Sequence, residues 1–210
     1  MDQPAIFAAA TQIRLATADR LETLDGEQLA TPSLCGEWRV RDVAGHLLAP
    51  LVTAVPVLFW HTARNGFDIN RGNSSLARSV GSRPIAEVAA GIREHAGAEL
   101  KVPFVGAHGP FTDLLVHNAD MRVPLGQDWQ PDVTWAVESL RFDARGAIGF
   151  TPKKRLAGLR VSATDAEATY GEGAELRGPA FSLLLALCGR RVGLESLTGP
   201  GRDVLRARLG

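Results

Sequence analysis

Asp113 and His117 stand four residues apart in the run Thr112-Asp113-Leu114-Leu115-Val116-His117-Asn118-Ala119-Asp120. On a helix that spacing puts a carboxylate and an imidazole on one face, one turn apart. Such a pair can present two ligands to a divalent cation, or form an ordinary hydrogen-bonded or salt-bridged pair. A third candidate ligand, His46, lies far upstream. Two imidazoles and one carboxylate would leave a catalytic cation an open position. Ligands on facing helices can build such a site inside a bundle. Zinc suits this donor set, and iron, nickel or manganese accept the same ligand types. Both histidines sit among apolar neighbours, Val43-Ala44-Gly45-His46-Leu47-Leu48 and Leu114-Leu115-Val116-His117. A buried imidazole needs a polar partner, metal or otherwise.

Two more carboxylates lie at helical spacing from these histidines. Asp42 is four residues before His46 and Asp120 three after His117. Either could accept a hydrogen bond from the non-ligating ring nitrogen and hold its tautomer, or be a surface acid; Asp120 could also replace Asp113 as a ligand. His61, His95 and His108 have polar or Gly/Pro-rich neighbours and read as exposed or structural. Other catalytic templates are missing: the chain has no GxSxG, Walker A, GxGxxG or HExxH sequence. Cys35 and Cys188 form no CxxC pair and have no evident His/Asp relay, so Cys35 reads as a loop residue and Cys188 as a core cysteine.

The elements that must carry these residues are mostly helical. Ile6, Ala9, Ala10, Ile13, Ala16, Leu21 and Leu24 mark one apolar face of a first helix. Thr31-Pro32-Ser33 and Cys35-Gly36 read as loop. A second helix starts near Val40 and carries Val43, Leu47, Leu48 and Leu51 inward. Pro50 should bend it, or the helix ends near Ala49 and restarts. Residues 65–83, rich in Gly, Asn, Ser and Arg, predict a loop or irregular segment able to cover a pocket. Pro84 opens a third helix running to about Leu100. Gly106 to Pro110 interrupts the chain, Phe111 to Met121 forms the helix of the Asp/His pair, and another helix spans Val133 to Phe142.

The texture changes near residue 150. Lys153-Lys154-Arg155 predicts a solvated loop. Leu159-x-Val161 and Ala168-x-Tyr170 alternate like short strands around the turn Thr164-Asp165-Ala166, and Gly171-Glu172-Gly173 makes another turn. Ala180 to Leu187 reads as a buried helix and Val204 to Leu209 as a terminal one. The predicted fold class is α with a small α+β appendage.

Bulk composition narrows the partners. Among 210 residues, Lys plus Arg and Asp plus Glu number 23 each. A formal charge of zero argues against a nucleic-acid footprint. The most apolar stretch, Leu47 to Trp60, contains two prolines and falls short of the roughly 20 residues that span a bilayer. Without a signal-peptide pattern the expected location is cytoplasmic, with no membrane or nucleic-acid partner.

The segments Trp38-Arg39-Val40-Arg41-Asp42-Val43-Ala44-Gly45-His46-Leu47 and Asp113-Leu-Leu-Val-His117-Asn-Ala-Asp120-Met-Arg-Val-Pro-Leu-Gly126 carry a resemblance. Gly178-Pro-Ala, Ala186-Leu-Cys-Gly-Arg190 and Leu197-Thr-Gly-Pro-Gly201 extend it. The chain resembles the actinobacterial maleylpyruvate isomerase-like, mycothiol-dependent family, within the DinB/YfiT-like metalloproteins. The resemblance implies a DinB-like four-helix bundle over residues 1–150, followed by a small α+β domain over 151–210. It maps metal ligation onto His46, Asp113 and His117. Characterised isomerase relatives carry glutamate at the acidic position, so Asp113 is one methylene shorter. It further implies a divalent metal, zinc in the first instance, with mycothiol as thiol cosubstrate. Asn73 and Arg122 are candidate contacts to that thiol or to a polar small-molecule substrate. Next to zinc a thiol is readily deprotonated, and the thiolate could add to an activated double bond or displace a leaving group. The expected function is therefore isomerase or thiol transferase, against the alternative of a non-catalytic ligand-binding or stress-related protein.

Overall fold

A computed structural model describes residues 1–102, 104–147 and 149–210, without the side chains of Val55 and Leu58. Its contacts divide the chain into two compact units: Pro4–Leu100 with His117–Trp129, and Met1–Gln3 with Lys101–Val116 and Gln130–Gly210. Among the described residues, no helix is long and apolar enough to cross a membrane.

In the first of these units, α1 (Gln3–Glu22) buries Ile6, Ala9, Ala10, Ile13, Ala18 and Leu21, largely the stripe its spacing marks. Arg14 interrupts that stripe and is nevertheless 3% exposed. Its Nη1 donates to the Ala96 and Ala98 carbonyls at 2.8 and 2.7 Å, so the buried guanidinium is not left unsatisfied. A single-turn helix, α2 (Gly26–Ala30), follows Asp25, whose carboxylate accepts from the Gln28 N–H at 2.8 Å. Five residues are too few for periodicity to announce it.

His46 rides on α3 (Val40–Val52), which buries Val40, Val43, Ala44, Leu47 and Leu48. The helix passes through Pro50 and breaks only at Thr53, rather than ending near Ala49. Pro50 lacks the N–H that would have bonded the carbonyl of residue 46, but by that point only half a turn remains. Next, α4 (Val55–Arg64) takes Pro56 in its first turn, where no donor is needed.

The expected loop over residues 65–83 is wrong. Residues Ile69–Gly81 form α5, capped by Asp68, whose Oδ1 accepts from the N–H groups of Asn70 and Arg71 at 2.9 and 3.1 Å. The small residues that read as helix breakers are contact residues. A Cβ on Gly45 would meet the Ala77 carbonyl oxygen and the Gly81 nitrogen at 2.3 Å. One on Gly81 would lie 2.5 Å from the Arg41 carbonyl. Close packing of two backbones, invisible to composition, outweighs weak helix propensity here.

The third expected helix is present as α6 (Ile85–Glu94), shorter than predicted, with His95 Nδ1 hydrogen-bonded to the Gly91 carbonyl at 3.0 Å at its end. The Asp/His helix, α7 (His108–Arg122), begins three residues before Phe111, because Gly109 and Pro110 fit its first turn. From Phe111 to Met121 every residue but Asp113 is buried, the condition of a helix enclosed on all sides. Gly126, at φ 66°, ends the 3-10 turn Val123–Leu125 that follows.

The other unit holds α8 (Val133–Asp143) and α9 (Lys153–Leu156), a short turn where the basic run predicted loop. A three-stranded sheet follows: β1 (Leu159–Ala163), β2 (Thr169–Tyr170) and β3 (Ala174–Gly178), in the order β2-β1-β3. β2 runs antiparallel to β1, with Val161 opposite Tyr170; β3 runs parallel to it, with Leu159 opposite Ala174. To reverse twice in so few residues the chain passes hard against β1. A Cβ on Gly171 would lie 2.5 Å from the Leu159 carbonyl and one on Gly173 2.2 Å from the Gly158 carbonyl. Both glycines also hold left-handed φ angles, 72° and 124°. Apolar but for Ser182, α10 (Ala180–Leu187) packs against α8, β1 and β3, and α11 (Gly201–Leu209) ends the chain. The sequence order is thus a predominantly helical N-terminal region followed by a small mixed sheet with helices, the class that the sequence predicts.

Candidate metal centre

The loop before α3 is pinched shut. Ser33 N–H donates to the Trp38 carbonyl at 2.8 Å, Trp38 N–H to the Cys35 carbonyl at 3.1 Å, and Cys35 N–H to Ser33 Oγ at 3.0 Å. Gly36 supplies the left-handed turn at φ 57°. Leu34 N–H reaches the Asp120 carbonyl at 3.1 Å, which ties the loop to α7. Trp38 is therefore fixed, and its ring centroid lies 4.9 Å from the His46 ring and 5.8 Å from the His117 ring. Its indole N–H donates to Ser74 Oγ at 3.2 Å. His46 and His117 meet edge to face at 4.8 Å.

His117 is 6% exposed, and its Nδ1 lies 2.8 Å from Asp120 Oδ2, a carboxylate with no exposed surface. In the neutral ring this hydrogen bond places the proton on Nδ1 and leaves the Nε2 lone pair for another partner. Asp120 thus takes the tautomer-holding position and is not the surface acid that was its other reading. Asp42 does not take that role toward His46. It accepts from the Arg39 N–H at 3.0 Å and caps its own helix.

Side chains with ligating atoms gather around His117. Among the described residues two groups of three could hold a metal ion, with one ligand atom from each side chain lying within 4.8 Å of the others. One is Cys35, His117 and Asp120; the other is His46, Asp113 and His117. Asp113 is tied to the centre through α7 itself, one turn before His117 on the same helix. In the second group two imidazoles and a carboxylate suit zinc and its neighbours. Cys35, dismissed from sequence as a loop cysteine, and Trp38 are the members that residue spacing alone missed. Their closeness to a buried ligand pair is a property of the folded loop.

Asn73 lies on α5, half-buried, and not in a loop. Arg122 ends α7 with its guanidinium 5.6 Å from the Trp129 ring, and burial followed by the charge of Arg20 lowers its pKa. The remaining histidines are structural. His61 Nδ1 hydrogen-bonds Ser75 Oγ at 2.9 Å, and His108 Nε2 lies 2.8 Å from Glu138 Oε1. A surface cleft of about 510 Å³ is lined by Glu37, Asn65, Arg71, Ser74, Ser75 and Arg78, among others. Ser74 joins that cleft to Trp38.

A separate buried cluster surrounds Asp143, which is fully enclosed. Burial pushes its carboxyl up to about 6, against the opposing pull of Thr151, Cys188, Arg155 and Arg190. Thr151 Oγ1 lies 2.5 Å from Asp143 Oδ2 and 2.8 Å from the Leu187 carbonyl. One hydroxyl proton cannot serve two acceptors. Donation to Asp143 is the choice that opposes the rise from burial, because it favours the carboxylate.

Fold and site together define a predominantly helical protein with a small β appendage and a cluster of side chains that could hold a metal ion. Residues 10–103 match the model of the mycothiol maleylpyruvate isomerase N-terminal domain, a segment that contains Cys35, Trp38 and His46. The fold is similar to the crystal structure of the mycothiol-dependent maleylpyruvate isomerase, with a TM-score of 0.56 at 13% identity over 95% of this chain and 93% of that one. A histidine-to-alanine mutant of that enzyme matches with a TM-score of 0.52 at the same identity and coverage. No curated protein sequence matches the chain.

Proposed function

We propose that this chain is a divalent-metal enzyme that uses a small thiol, mycothiol, either to isomerise a small electrophilic substrate or to transfer the thiol to it. The edge-to-face meeting of His46 and His117 at 4.8 Å carries the reading, with Asp113 the proposed third ligand. The family match over the segment holding His46 supports it. Zinc is the proposed ion, and the cytoplasm the proposed place of action. Bound there, the cation would supply Lewis acidity that lowers the pKa of a thiol. The chain's own residues do the rest. Asp120 fixes the His117 ring and its proton on Nδ1, so that Nε2 presents a lone pair. Trp38 packs against both imidazoles, its ring 4.9 Å from that of His46 and 5.8 Å from that of His117. Asn73 and Arg122 are the proposed contacts to polar groups of the thiol or substrate.

The test is a purification without chelator, followed by elemental analysis and a thiol-dependent assay with maleylpyruvate-like electrophiles. One metal per chain, and turnover that needs mycothiol and disappears in His117→Ala, are expected. A chain that takes up no metal under replete conditions and shows no thiol-dependent turnover would overturn the reading in favour of a non-catalytic ligand-binding protein.

A further inference from the structure

The geometry points to a second cation-binding set, Cys35, His117 and Asp120, that shares His117 with the first and competes with it. The inference rests on the metal reading in using that histidine, yet it can fail alone. Its first support is placement: the three ligand atoms lie within 4.8 Å of one another. The placement is not left to a loose loop, since Cys35 is held by the Ser33 hydroxyl and its neighbour Leu34 by the Asp120 carbonyl. Charge is the second support. A Cys35 thiolate and the Asp120 carboxylate together match the charge of a divalent cation, whereas His46, Asp113 and His117 supply only one negative charge. Around side chains as buried as His117 and Asp120, a neutral assembly avoids the cost of an uncompensated charge.

Ring chemistry makes the two sets exclusive. A neutral imidazole has one lone pair. With the proton on Nδ1, shared with Asp120, the lone pair at Nε2 is available to the set containing His46 and Asp113. When the proton moves to Nε2, the lone pair at Nδ1 points along the 2.8 Å line to Asp120. A cation can then replace the hydrogen bond and bind both Nδ1 and the carboxylate once the two groups part by roughly half an ångström. The Cys35 thiol gives its proton to solvent, and its sulfur lone pair forms the third bond. No oxidant or reductant is involved. A thiolate donor selects zinc, cobalt(II) or cadmium over magnesium and calcium. It also makes Cys35 an internal counterpart of the external thiol proposed above.

Cobalt(II) alone, titrated into the full chain, tests this. One equivalent should bind. His46→Ala should force cobalt into the second set and give a sulfur-to-cobalt absorption in the near ultraviolet. Adding Cys35→Ser to that variant should remove the band. Cys35→Ser by itself should keep the visible cobalt bands of the first set. A second readout needs no variant: cadmium should protect Cys35, but not Cys188, from alkylation mapped by mass spectrometry. Visible cobalt bands without a sulfur band in His46→Ala, a sulfur band that survives loss of Cys35, or unprotected Cys35 would each overturn the second set and leave the first standing. Two equivalents bound at once would overturn the exclusivity. Absence of any cobalt binding would overturn both sets together.

Discussion

His117 and Asp120, three residues apart on α7, are joined through Nδ1 and Oδ2 at 2.8 Å, and both side chains are buried. The helix therefore carries its own orienting group for the imidazole. Loss of such a partner costs metal affinity roughly 10- to 100-fold in comparable centres. Asp120→Ala should show that loss in competition with a chromophoric chelator, while Asp120→Asn, which keeps an acceptor oxygen, should lose less. Equal affinities in all three proteins would show that the hydrogen bond does not prepare His117 for a metal.

Gly45 stands immediately before His46, with no room for a methyl group. Gly45→Ala should destabilise the chain by about 1–3 kcal/mol, the usual cost of overpacking, read as a lower urea midpoint. An unchanged midpoint would contradict the backbone approach between α3 and α5.

Arg14 is the buried cation of α1. Arg14→Leu keeps an apolar stem but strips the donors from the Ala96 and Ala98 carbonyls. A loss on the order of 1–3 kcal/mol is expected in chemical denaturation, as for buried acceptors left unmet. No loss would mean that water replaces the guanidinium.

Asp143 gives the fold a pH dependence of definite sign. Its folded pKa of about 6 lies above the ordinary 3.8, so between those values the unfolded chain releases a proton that the folded chain keeps. Stability from this group is therefore greatest below pH 3.8, falls as pH rises toward 6, and then levels off, a loss of about 3 kcal/mol in all. Asp143→Asn removes the ionisation and should flatten this part of the profile. A profile identical to that of the parent protein would show that Asp143 is ionised without penalty.

The sequence makes the helices of the site legible because they are long and periodic. α1, α3 and α7 appear where the apolar spacing of Ile6, Val43 and Leu114 places them. Asp120 was legible as a partner of His117 because three residues along a helix is a contact distance. α5 was hidden because Gly72, Ser74 and Gly81 are poor helix formers whose value lies in what approaches them. β3 was hidden because its alternation amounts to Leu176 and little else, and its pairing with β1 is parallel and non-local. Cys35 escaped for a different reason. Eighty-four residues of chain lie between it and Asp120, and no local pattern reports a loop hydrogen-bonded across that distance.

At Gly45 and Gly81 one main chain rests directly on another, and such a contact has no rotamers. Where side chains keep two helices apart, their torsions let the spacing breathe. Here there is nothing to turn, so the contact acts as a hard stop under the α-carbon next to His46. Repacking elsewhere in the core, by heat or by substitution, has no lever at this point with which to tilt the imidazole.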